Sequence, residues 1–130
     1  MGVDIILQCF RDGESTTFPP AQIERSFGPY GTFHEPKVWV LRYPDGGLCE
    51  LSMYITEQGL EGFFVQRPPA NPEFWKSLFD LMKQTPSCLF FTSGGLYFAN
   101  PSVREHIPAD VIEQSGEPIF VSTPEQFLNR

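Results

Sequence analysis

One segment constrains the fold more than any other. Asn71-Pro72-Glu73 is followed by Phe74, Trp75, Leu78, Phe79, Leu81 and Met82, and then by Thr85-Pro86. Asn is a favoured N-cap, Pro is pre-organised for the first helical position, and Glu in the first turn complements the helix dipole. The six large residues recur at helical spacing and form a wide apolar stripe, which must be buried against another layer. Around this helix the apolar runs are short and alternating, and thirteen prolines and eleven glycines punctuate them. A long amphipathic helix among short strands predicts an α+β domain. We expect a largely antiparallel, possibly mixed sheet of about five to seven strands, with helices packed mainly on one face.

The strands are placed by period-two alternation. Residues Val3 to Phe10 put Val3, Ile5, Leu7 and Cys9 on one face. Ile6 and Phe10 fall on the other, so both faces are expected to be partly covered. Lys37–Tyr43 and Leu48–Ile55 flank Pro44-Asp45-Gly46-Gly47, which has the turn chemistry of a hairpin. In the second arm Cys49, Leu51, Met53 and Ile55 are expected to face the core, and the Glu50 side to face water. Further strands are expected at Gly62–Gln66, Cys88–Phe91, Leu96–Phe98 and Ile119–Val121. Short helices are expected at Pro19–Phe27, after Asn100-Pro101, after Pro108 and at Thr123-Pro124-Glu125. No linker or repeat divides the chain, so residues 1–130 read as a single domain of ordinary size.

The chain holds nine basic and sixteen acidic residues, a net charge of −7. That field repels phosphate backbones and anionic bilayers, and it favours a basic protein partner. Cys9, Cys49 and Cys88 are odd in number, widely spaced and set in apolar runs. They read as free, buried thiols of a reducing, cytoplasmic protein rather than as a disulfide or zinc framework. The first residues lack the basic segment of a secretion signal and the Ser or Thr of a myristoylation site. No apolar run reaches the length of a membrane span.

No catalytic signature is present. A cysteine–histidine pair could form from Cys88 and His106 or from Cys9 and His34, but nothing local activates a thiolate. The segment Thr92-Ser93-Gly94-Gly95 follows a strand yet lacks the Gly-Lys-Ser/Thr end of a phosphate loop. Two histidines without partners at ligand spacing predict no metal, and no cofactor is expected. Nineteen aromatic residues are more than a small core encloses with ease, so some should lie at the surface. Tyr30, Phe33, Trp39 and Tyr43 are candidates. As a binding set we select the acids Asp45, Glu50, Glu57 and Glu61 and the anchors Trp39, Tyr43 and Tyr54.

Three stretches carry a family likeness: Leu41-Arg42-Tyr43-Pro44-Asp45-Gly46-Gly47, Asn71 to Met82, and Ile107-Pro108-Ala109-Asp110 running to Val121. With them the chain resembles the small bacterial immunity proteins of interbacterial toxin systems. The resemblance implies a non-enzymatic cytoplasmic protein that binds and occludes a cognate toxin domain. Two alternatives stand beside it. One is a small hydrolase or transferase with a site near Cys88, Ser93 and His106. The other is an adaptor subunit of a larger complex.

Overall fold

The structure, a computed structural model, describes residues 3–34 and 37–128. The strands are β1 (Ile5–Arg11), β2 (Glu14–Ser15), β3 (Gly31–His34), β4 (Val38–Arg42), β5 (Leu48–Thr56), β6 (Gly59–Val65), β7 (Ser87–Phe91), β8 (Leu96–Phe98) and β9 (Ile119–Phe120). The helices are α1 (Ala21–Phe27), α2 (Pro72–Gln84), α3 (Ala109–Ser115) and α4 (Glu125–Leu128), with 3-10 turns at Gly28–Tyr30 and Pro101–His106. The class is α+β. The sheet runs β3-β4-β5-β6-β1-β7-β8-β9, with β2 paired to β1 off this path. Every pairing is antiparallel except the β8–β9 ladder.

Among the described residues, nine strands exceed the expected five to seven. The two additions are the two-residue β2 and the four-residue β3. Residues Gly31–His34 read as a loop because glycine, an aromatic and a histidine give no alternation. They become a strand by pairing with β4, with Phe33 opposite Trp39.

The helix α2 forms where its caps place it. The amides of Glu73 and Phe74 donate to Asn71 Oδ1 at 2.8 and 3.2 Å, which satisfies two of the orphan donors of the first turn. Thr85, in extended conformation, closes the other end. Phe74, Leu78, Leu81 and Met82 are fully buried. They pack with α1, α4 and one face of the sheet, to which Ile5, Leu7, Leu41, Leu51 and Phe63 contribute. Most of the aromatic excess resides here. Trp75 stacks on Phe91 at 6.0 Å between ring centroids, Phe127 closes on both rings, and Phe27 bridges Phe63 and Phe74. The Trp75 indole N–H donates to the Pro69 carbonyl at 2.8 Å. A smaller core lies on the other face under the Pro101–His106 turn and α3, where Phe10, Cys88, Leu96 and Phe98 meet Val103 and Ile107. Both faces are therefore partly covered, as the apolar residues on both sides of β1 require.

Ile55 departs from its expected place. It follows Cys49, Leu51 and Met53 on the helix-facing side, yet it is 40% exposed. Tyr54 pairs with Gly62 while Ile55 pairs with Leu60, so Glu61 is an extra residue in β6. This bulge sharpens the local twist. The end of β5 thus lies beyond the cover of α1, and Ile55 lines an open groove there.

Candidate functional site

The hairpin turn positions Asp45. The Gly47 amide donates to its Oδ1 at 2.8 Å, and Asn71 Nδ2 donates to its Oδ2 at 2.6 Å. The carboxylate thus ties the β4–β5 turn to the N-cap of α2. These two bonds, the Gly47 amide foremost, hold the Asp45 pKa below its ordinary value against a smaller opposing effect of desolvation. A depressed carboxylate stabilises the fold above its unfolded pKa of about 4, and that contribution is lost as pH falls through the lower folded value. The stability gap between the parent and Asp45→Ala should therefore narrow below pH ~4. Urea titrations at neutral and acid pH check this. Asp45 is a structural tether as well as an exposed acid.

Tyr43 is not available as an anchor. It is buried on the helix-facing side, its ring 4.7 Å from that of Tyr30 and edge-on to Phe74. Strand alternation places Trp39, Leu41 and Tyr43 on one face, and the pairing of Trp39 with Leu51 makes it the core face. Burial, with smaller effects from Cys49, Tyr30, Glu73 and Asp45, pushes the phenol pKa up. Its hydroxyl has no hydrogen-bond partner among the described residues. A buried unsatisfied hydroxyl costs about 1–3 kcal/mol, so Tyr43→Phe should raise stability by about 1 kcal/mol in denaturant titration.

The remaining candidates divide between two surfaces. Glu50 and Tyr54 lie on the face of β5 turned away from the main core, both exposed, where Glu50 is in register with Val40. Glu57 occupies the exposed β5–β6 turn, and Glu61 sits at the bulge facing the end of β5. Trp39, half-buried, turns to the other side and lines a groove of about 490 Å³ with Pro20, Ala21, Glu24, Phe33, Met53, Ile55 and Leu60. Trp39, Tyr54, Glu57 and Glu61 thus lie toward the turn end of the β5–β6 hairpin, whereas Asp45 and Tyr43 lie toward the other hairpin turn. Sequence reading missed Glu24, Ile55 and Leu60 as groove residues. Ile55 alternates with core residues, and only the bulge in β6 leaves its end of β5 uncovered, while Glu24 and Leu60 carry no signal of their own.

The groove is shaped by a missing side chain. A Cβ on Gly31 would stand 2.7 Å from Trp39 Cε3 and 2.9 Å from Leu41 Cδ2. Glycine there lets the indole lie across β3, beside Phe33 at 6.2 Å between ring centroids.

The residues of the alternative catalytic site are placed as follows. Cys88 is fully buried within β7, in register with Gln8 and Phe98. Burial pushes its thiol up to about 12. Cys9 and Cys49 are likewise raised to about 12, chiefly by burial. Such thiols hold their protons at neutral pH and make poor nucleophiles. All three should stay unreactive toward a disulfide reagent at pH ~8 in the native chain and react once urea unfolds it. Ser93 lies in the exposed turn after β7. His106 accepts the Asp12 amide on Nδ1 at 3.0 Å, and its carbonyl accepts the Gly13 amide at 3.0 Å. It anchors the β1–β2 turn, where Asp12 adopts a φ of 53°. The proposed pairing of His34 with Cys9 lies outside the described residues, since the His34 side chain is not among them.

The described residues hold no cluster of three or more His, Cys, Asp or Glu side chains placed to bind a metal, and no helix long and apolar enough to cross a membrane. Comparison with protein-family models, with curated proteins and with solved structures finds no match.

Proposed function

We propose that this chain is a non-enzymatic acidic binding protein of the immunity kind, which occludes a basic toxin domain in the cytoplasm. The observation that carries the reading is the groove beside the turn end of the β5–β6 hairpin. It is concave and mostly apolar, and Phe33 and Ile55 line it at 40% exposure each. Tyr54, 49% exposed, stands on the other side of the same strand end, on a chain of net charge −7. Partly exposed aromatic and aliphatic anchors beside carboxylates are what a protein interface uses for affinity and for steering of a basic partner. The three buried, protonated thiols support a reducing compartment.

Co-expression with the product of the adjacent gene tests the proposal. The expected result is a complex that co-purifies and cells protected from that product. A chain that neither binds nor protects against it would sink the immunity reading. A stable complex with a partner of no toxicity would favour the adaptor reading instead.

A further inference from the structure

Resting on that binding reading, we infer that the partner is held by strand addition: an extended segment pairs with the free edge of β3 and places an aromatic or branched aliphatic side chain, flanked by lysine or arginine, in the groove. Three features of the fold carry this. First, β3 ends the sheet, so its outer edge has no partner strand among the described residues. Second, the groove crosses the sheet toward that edge. Its floor and wall come in turn from Leu60 in β6, Met53 and Ile55 in β5, Trp39 in β4 and Phe33 in β3. A strand added beside β3 would lie about 4.8 Å from it, with every second side chain on the groove side. The residue opposite Phe33 would then enter the groove mouth. Main-chain bonds supply affinity in this mode, and the pocket supplies specificity.

Third, the charge selects the occupant. Glu24 is the charged residue among those that line the groove, and it is exposed at the rim formed by α1. A lysine or arginine next to the inserted side chain would meet it. A second copy of this chain fits less well, because two surfaces of net charge −7 repel.

The test is selection of random dodecapeptides displayed on phage against the full chain. The expected enrichment is of peptides with an aromatic or branched aliphatic residue beside Lys or Arg. Their affinity should fall about tenfold or more in Phe33→Asp or Ile55→Asp, each at a partly exposed site. It should fall about three- to tenfold in Glu24→Gln, a surface change that keeps the test independent of folding. Bound peptide should also protect the Phe33 amide from exchange, since Thr32 in register with Val40 turns its own amide toward β4. Enrichment of acidic or uncharged peptides overturns the inference, as does failure to enrich any. Binding indifferent to all three variants, or dimerisation of the chain that Phe33→Asp abolishes, overturns it too. The two readings fail separately. If the co-expressed partner binds Phe33→Asp as tightly as the parent, the groove is not its site and the binding function stands. If basic peptides bind in the groove but no protein partner is held, the groove stands and the immunity function falls.

Discussion

Replacing Phe79 by alanine is expected to lower stability by about 3–5 kcal/mol. Phe79 sits midway along α2, only 7% exposed, one turn after Phe74 and Trp75. Its ring also carries the Lys83 ammonium at 5.4 Å from the centroid. An isolated helix of this length is marginal in water, so α2 owes its stability to the burial of its stripe. Truncation removes the transfer energy of the ring and leaves a cavity that the surrounding structure fills only in part. The loss is a large share of the roughly 5–15 kcal/mol a domain has in total. It should appear as a fall in the urea midpoint with an unchanged slope, or as a drop in melting temperature of about 10–20 °C. A variant as stable as the parent would mean that the stripe is not core and would recast it as a binding surface.

Gly62→Ala should be at least as damaging, for a different reason. Gly62 stands mid-strand in β6, in register with Gln8 on one side and Tyr54 on the other. A Cβ there would collide with the backbone carbonyl of Leu7 and press on Gln8 Cα at 3.1 Å. Backbone cannot rotate aside as a side chain does. The β1–β6 ladder would have to part at the centre of the sheet, next to the bulge at Glu61. Overpacking a close contact ordinarily costs about 1–3 kcal/mol, and an immovable neighbour puts this case at about 3 kcal/mol or beyond. Insoluble expression or a collapsed melting transition is the expected readout. A soluble, fully stable Gly62→Ala protein would show that β6 runs further from β1 than the ladder places it.

The elements that sequence made legible share one property: their local signals agree with their tertiary setting. The cap, stripe and stop of α2 all point to a buried helix, and Asn71, Phe74 and Leu78 fulfil those roles. The hairpin around Pro44–Gly47 was equally clear, and Gly46 adopts the positive φ of 90° that its turn requires. What escaped is decided by pairing between distant segments. The strand β3 exists because β4 recruits it. Tyr43 alternates as a surface or a core residue would, and only the register of β4 against β5 decides between them. The end of β5 is exposed because a residue was added in β6. The candidate site suffers most from this. Alternation correctly separated Glu50 from its buried neighbours, but it could not show that Trp39 and Tyr54 meet the same strand end from opposite sides.

The central place of β1 has a consequence for how the chain assembles. The strand β1 precedes both β6 and β7, which flank it, so Ile5 finds its neighbours only at Val65 and Phe91. The β3–β6 meander can form from local turns, but it has no link to β7 until β1 slots between them. Closure of so distant a pairing requires a large loss of chain entropy before it is rewarded, which places folding in the slower, millisecond-to-second range. During synthesis most of β1 must wait for β6 and β7 to emerge before its side chains are covered. Nascent chains stalled before β7 should therefore be the ones most dependent on chaperones.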